Sequence, residues 1–191
     1  MCAYPIFLNL TGCRSVVIGG GEVAARKTRV LLSAGAKVTV VAPAVVAGIE
    51  RLARRRKVNL INRRFAPSDL SGAQLVIAAT DDQLVNELAS RLCRRKRIWI
   101  NVVDQPALCS FIFPAVMRRG KLVIAVSTGG VSPALAKWIR RDLECRYGAE
   151  FQSLLEKMAG ARGRIKERVM GVRRRKEIFE RALKAYMKVL G

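Results

Sequence analysis

The sequence predicts an α/β chain: an N-terminal parallel sheet wrapped by helices, then a small α+β segment, then a helical C-terminal part. Three observations predict it. Short apolar runs alternate with amphipathic stretches from Cys13 to Asp104, the pattern of repeated strand–helix–strand units. The first of these runs, Val16-Val17-Ile18, enters Gly19-Gly20-Gly21 and then the helix-forming stretch Glu22 to Lys27. Beyond Asp104 the alternation gives way to two strand-like runs and then to long helical periodicity. The predicted divisions are residues 1–112, 113–148 and 149–191.

Taken in order, Tyr4 to Leu10 reads as a short opening strand and Thr11-Gly12 as a turn. Cys13 to Ile18 is the first parallel strand. Glu22 to Ala34 is a helix with Val23, Val30, Leu31 and Ala34 on one stripe and Gly35 as its stop. Lys37 to Ala42 is the next strand, Ala44 to Arg56 a basic amphipathic helix and Val58 to Ile61 a third strand. A loop holding Pro67 and Gly72 leads to a strand at Leu75 to Ala79. Thr80 is placed as the cap of a helix from Asp81 to Arg94, and Ile98 to Val103 is the fifth strand. Phe111 to Phe113 and Leu122 to Val126 read as strands joined across Arg118-Arg119-Gly120. Ser132 before Pro133 is a cap followed by proline at the first helical position, opening a helix to Tyr147. Residues 150–190 are mostly helical, with Phe179, Leu183, Tyr186, Met187 and Leu190 on one face.

The glycine turn carries the first functional reading. Gly19, Gly21 and Ala24 occupy the key positions of G-x-G-x-x-G/A, the dinucleotide fingerprint of Rossmann-like sheets. Gly19 permits the tight turn, Gly21 admits a pyrophosphate to the backbone, and Ala24 lets the helix lie close to its strand. An ordinary strand-to-helix turn uses similar residues. No Asp or Glu stands at residues 39–44 to accept from a ribose 2′-hydroxyl, and no Arg waits there for a 2′-phosphate.

Composition excludes several chemistries. With no histidine, there is no Ser-His-Asp triad, Cys-His pair or histidine metal ligand, so acid–base work falls first to a carboxylate. The five cysteines (Cys2, Cys13, Cys93, Cys109 and Cys145) form no C-x-x-C, which argues against a disulfide framework or a zinc knuckle and fits a reducing compartment. Cys109 lies close to the candidate base discussed below. No apolar run has membrane-spanning length and the start lacks a basic leader region, so a cytoplasmic protein is expected. The formal net charge is +22, from 36 basic and 14 acidic residues. Nucleic acid, an anionic membrane, a polyanionic small substrate or a solvated basic surface each accounts for such a surplus. The basic runs, at residues 51–64, 91–97 and in the tail, are not interleaved with aromatics, which disfavours a single-strand stacking platform.

A set of motifs in fixed order now carries a family likeness. Tyr4-Pro5-Ile6-Phe7 and Val17 to Lys27 are followed by Ala78-Ala79-Thr80-Asp81-Asp82 with Asn86, then Asn101-Val102-Val103-Asp104. Ser110-Phe111-Ile112 with Pro114, Ser127-Thr128-Gly129-Gly130 with Ser132-Pro133, and the basic Arg173-Arg174-Arg175 complete it. Together these resemble the precorrin-2 dehydrogenase/sirohydrochlorin ferrochelatase family, the N-terminal module of siroheme synthase.

The resemblance implies an NAD-dependent oxidation of precorrin-2 to sirohydrochlorin, with insertion of Fe²⁺ to give siroheme in some members, and a homodimer built on the central segment. It implies no resident metal. Asp104 becomes the catalytic general base, although its place before Pro106 also suits a turn former. Gly19, Gly20, Gly21, Glu22 and Val23 become cofactor contacts, and Pro43 and Ala44 flank the adenosine ribose. Thr80 and Asp81 line the nicotinamide end or simply cap a helix. Ser127, Thr128, Gly129 and Gly130 either bind a substrate carboxylate or form a plain strand-to-helix turn. The competing reading is a nucleotide-sensing or nucleic-acid-binding protein on the same sheet, using its basic tail.

Overall fold

The computed structural model describes residues 4–190, with side chains to Tyr186; Cys2, Met187 and Leu190 of the sequence reading lie outside the described side chains. The chain divides into two compact units, residues 1–112 and 113–191.

The first unit is a five-stranded parallel sheet: β1 (Arg14–Ile18), β2 (Lys37–Val41), β3 (Val58–Ile61), β4 (Leu75–Ala78) and β5 (Trp99–Val102), in the order β3-β2-β1-β4-β5. Its helices are α1 (Glu22–Ser33), α2 (Ala47–Arg54) and α3 (Gln83–Arg95). One face of the sheet, with Val16, Ile18, Val76, Ala78 and Ile100, packs on Ala89 and Cys93 of α3. Right-handed crossovers put α1 and α2 on the other face, against Val17, Val40 and Ile77. Burial on both sides is why the central strands β1 and β4 read as apolar runs.

Several expectations are corrected. Residues 4–10 form no strand, and Tyr4 and Phe7 are exposed. Pro5 removes a ladder donor, and no strand runs alongside to pair with the rest. The buried stripe of α1 is Ala24, Ala25, Thr28 and Leu31, whereas Val30 is exposed. Small residues bring α1 close to the sheet, so the contact stripe follows the alanines. α2 starts only at Ala47, because Val46 is extended. The residues Phe111–Phe113 are not a strand; β6 (Ala115–Arg119) takes Arg118 and Arg119 into its ladder with β7 (Leu122–Val126). Gly120, at φ +56°, opens the two-residue turn between them.

The second unit comprises that hairpin, α4 (Pro133–Arg146), α5 (Glu150–Arg168) and α6 (Val172–Leu190). Ser132 caps α4 by accepting from the Leu135 N–H at 3.2 Å. The tail is broken at Gly171, φ +92°, and Arg175 of the basic run donates to the carbonyls of Val169 and Lys166 at the end of α5.

The three helices of the first unit end alike. The N–H groups of Gly35 and Ala36, Arg56 and Lys57, and Arg97 and Ile98 turn back onto the last carbonyls of α1, α2 and α3, closing Schellman motifs. The residue held left-handed is Gly35 in the first case, but Arg56 (φ 54°) and Arg97 (φ 55°) in the others. A side chain there costs about 1 kcal/mol relative to glycine. Arg97→Gly is therefore expected to stabilise the protein by about 1 kcal/mol, read as a raised urea midpoint at unchanged slope.

Candidate active site

Register alignment brings the candidate residues to one edge. Ile18, Ala78 and Val102 are neighbours across β1, β4 and β5. The glycine turn leaves β1 at that edge, Ala79-Thr80 leaves β4, and Val103-Asp104 leaves β5. Strands β1 and β5 stand about 10 Å apart. Residues Pro43 and Ala44 lie beyond β2 at the same edge, both exposed. The edge is the carboxyl end of the strands, and the order reverses between β1 and β4, where open α/β sheets bind ligands.

The three glycines differ in what surrounds them. A Cβ on Gly19, at φ +120°, would stand 2.1 Å from the Ala79 carbonyl oxygen. One on Gly20 would stand 1.9 Å from the Ala44 carbonyl oxygen, while the Gly20 carbonyl accepts from the Val46 N–H at 2.8 Å. These two glycines let the turn be pinned between the ends of β2 and β4. Gly21 has open space, with nothing within 4 Å of such a Cβ, and it precedes an α1 N-terminus that no side chain caps. The free N–H groups of the first turn, at Glu22 and Val23, thus open onto room for an anion. This cradle fits a dinucleotide pyrophosphate.

Asp104 is exposed and holds φ +58°, a conformation uncommon for any residue but glycine and best tolerated by Asn and Asp. Its loop is fastened on several sides. The Gln105 N–H donates to the Val102 carbonyl at 3.3 Å. Ser90 Oγ donates to the Leu108 carbonyl at 2.7 Å, and Arg94 donates to that of Ala107 at 2.6 Å. Cys109 is buried, its Sγ 3.2 Å from both the N–H and the carbonyl of Val102. Burial pushes its thiol pKa up, so Cys109 is a neutral peg for the loop and not a thiolate nucleophile. Such fixing keeps the left-handed backbone of Asp104 in one place.

Sequence reasoning missed Lys27. It projects from the second turn of α1, half-buried, within electrostatic reach of Asp104 and Cys109. Burial, then the charge of Arg26, push its pKa down from 10.5 to about 8, with Asp104 opposing. Because the folded value lies below the unfolded one, the unfolded chain binds more protons between about pH 8 and 10.5, and this residue's contribution to stability rises with pH there. In urea titrations the wild type is expected to gain on Lys27→Met as pH is raised from 7 to 10. A pH-independent gap would contradict a depressed Lys27.

Thr80 does not cap α3. Asp82 does, accepting from the Val85 N–H at 3.2 Å, while Thr80 Oγ1 accepts from the Asp82 N–H and the Thr80 carbonyl accepts from Asn86. The acid stands one residue before the helix proper, where its carboxylate reaches the free N–H. Asp81 is exposed at this edge.

The second unit holds Ser127 to Gly130. Ser127 Oγ accepts from the Gly129 N–H, and Thr128 Oγ1 both accepts from and donates to the backbone of Ser132. These hydroxyls shape the turn into α4. Gly129 and Gly130 have positive φ and open space beside them. Among the described residues no cluster of three or more His, Cys, Asp or Glu side chains could hold a metal, and no helix is long and apolar enough to cross a membrane.

Comparisons with known proteins agree with this geometry. Residues 6–115 match the NAD(P)-binding family model, and residues 119–145 match that of the sirohaem biosynthesis protein central region. Siroheme synthase of Methylococcus capsulatus is 44% identical over 179 residues, which cover 94% of this chain and 38% of that protein. Siroheme synthase of Pseudomonas fluorescens is 43% identical over 176 residues, covering 92% and 38%. The chain thus spans well under half the length of these relatives. Among solved structures, SirC, a precorrin-2 dehydrogenase, superposes with a TM-score of 0.79 at 26% identity, covering 97% of this chain and 100% of that one. The chain therefore belongs to the NAD(P)-binding family whose model spans residues 6–115, and over nearly its whole length it is similar to part of siroheme synthase and to SirC.

Proposed function

We propose that this chain oxidises precorrin-2 to sirohydrochlorin with NAD⁺ in siroheme biosynthesis. One observation carries the reading: a glycine cradle built for a pyrophosphate and the carboxylate of Asp104, held at the head of a fastened loop, share one edge of one sheet. The likeness to SirC along the whole chain supports it. The nucleic-acid alternative gains nothing from the matches.

In this proposal the N–H groups of Glu22 and Val23 hold the pyrophosphate in the space beside Gly21. Pro43 and Ala44 flank the adenosine ribose, and Thr80 and Asp81 face the nicotinamide end. When bound, NAD⁺ supplies the acceptor for the hydride that leaves the tetrapyrrole. Asp104 takes the accompanying proton, so that two electrons and two hydrogens leave precorrin-2 in all. Lys27, charged below about pH 8, keeps a cation near that carboxylate. Ser127, Thr128, Gly129 and Gly130 receive a substrate carboxylate, and the basic surplus draws in the polycarboxylate ring. Asp104 also suits proton removal from pyrrole nitrogens, so Fe²⁺ enters as a second substrate and not as a resident metal.

Homodimerisation through residues 113–148 belongs to the same proposal, with residues 149–191 as a helical domain. It is supported by Val131, Leu135 and Trp138, spaced on one side of α4 and its approach and 47–89% exposed. A cytoplasmic setting is supported by the four described cysteines, all free thiols. The test is NADH formation by the purified chain given precorrin-2 and NAD⁺, followed by Fe²⁺ addition and scoring of siroheme absorbance. Absence of NADH above the protein-free control overturns the dehydrogenase reading. Iron insertion no faster than the control removes the chelatase.

A further inference from the structure

The dinucleotide cradle occupies the carboxyl edge of the sheet, and the amino edge carries a cavity of its own, of about 880 Å³. Its origin is topological. In a doubly wound sheet the crossover from β3 to β4 ordinarily supplies a helix that covers the α3 side of β2 and β3. Here the only helical piece of that crossover is the four-residue 3-10 turn Pro67–Leu70. In register, Val16, Thr39 and Asn59 lie side by side on the face left open, and all three line the cavity. Thr39 and Asn59 interrupt the apolar runs KVTVV and VNLI. A strand buried on both faces has no use for them, whereas a solvated floor does.

The rim is cationic. Arg14, Lys37, Arg56 and Lys57 line the cavity, and none is ion-paired within 4.0 Å among the described residues. The lining's one acid, Asp69, is already bound by Arg63 at 2.5 Å and by the Ala66 N–H, and its side chain is 4% exposed. The Arg14 guanidinium lies over the Gly72 turn, where a Cβ would stand 2.8 Å from its Nη1. Four cations facing one concavity, with no acid left to balance them, favour an anionic occupant.

We propose that this cavity binds a small molecule bearing two or more phosphate or carboxylate groups. Its volume is that of small-ligand sites, about 300–1,000 Å³. It is a pocket floored by strands with no aromatic residue in its lining, unlike a groove on which bases stack. It opens at the amino end of β1 and reaches no further along that strand than Val16, about 10 Å from Gly19, so its occupant does not compete with the dinucleotide.

The test is calorimetric titration of the full chain at low salt with tripolyphosphate, with citrate and, in parallel, with NAD⁺. The wild type is expected to bind at least one of the two anions at one site per chain. The triple variant Arg14→Gln/Lys37→Gln/Arg56→Gln is expected to weaken that binding at least tenfold with NAD⁺ affinity unchanged. Thr39→Leu, which fills the floor without altering charge, should also weaken it. A control that neutralises Arg164, Arg168 and Arg174 should not. Preference for tripolyphosphate or for citrate identifies the ligand as phosphate or carboxylate. Equal weakening in the control means generic charge attraction and overturns the site. So does capture of a single-stranded oligonucleotide with neither small anion bound, or anion affinity unchanged in the triple variant.

Discussion

Asp104→Asn is expected to lower the rate of precorrin-2 oxidation by about 10²–10⁴-fold, the usual worth of a positioned general base, with NAD⁺ affinity within twofold of wild type. The variant isolates one property. Asparagine has the same shape and tolerates the left-handed conformation that φ +58° imposes, so the turn after β5 survives. The fastenings of the loop, from Ser90, Arg94 and Cys109, involve neighbours of Asp104 and are untouched. What is lost is the carboxylate's charge and with it the ability to take a proton. Asp104→Ala is the less informative change, since it adds about 1 kcal/mol of backbone strain to the missing carboxylate. NADH formation under saturating NAD⁺ and direct NAD⁺ titration separate chemistry from binding. A fully active Asp104→Asn enzyme would leave Asp104 as the turn former that its place before Pro106 also allows.

Much of the first unit was legible because its determinants are local. A parallel strand covered on both faces is an apolar run, and the central β1 and β4 each contain one. The glycine turn was legible for the same reason, since strand, turn and helix start are contiguous. What failed depended on partners distant in sequence. Tyr4 to Leu10 has the composition of a strand, but composition does not supply a neighbour, and the segment stays unpaired as a strand. Thr80 and Asp82 are both good caps, and only the backbone geometry decides that Asp82 meets the Val85 N–H. Lys27 looked like one more surface cation of α1 until the fold carried Asp104 and Cys109 to it. The basic cavity was hidden similarly. Its cations come from three separate stretches of the chain, and what exposes its floor is a helix that the crossover lacks.

The glycine triplet offers the sharpest separation of scaffold from ligand contact. Gly19→Ala and Gly20→Ala each drive a methyl group to about 2 Å from a backbone carbonyl oxygen, at Ala79 and Ala44. Backbone does not swing aside as a flexible side chain does. Gly19 carries the added penalty of φ +120°. Overpacking and strain together predict a loss of about 3–5 kcal/mol for either variant, enough to abolish stable folding of a marginal domain. Gly21→Ala meets neither obstacle. Its backbone is extended, at φ −79° and ψ −176°, and the new methyl has nothing within 4 Å. Stability should therefore stay within about 0.5 kcal/mol of wild type. The methyl nevertheless projects into the space that the uncapped α1 N-terminus leaves for a pyrophosphate, and NAD⁺ affinity is expected to fall at least tenfold. Urea unfolding and NAD⁺ titration of the three variants give the contrast. If Gly21→Ala binds NAD⁺ as wild type does, the open space is not the pyrophosphate seat, and the role of the turn reduces to the two contacts that pin it between β2 and β4.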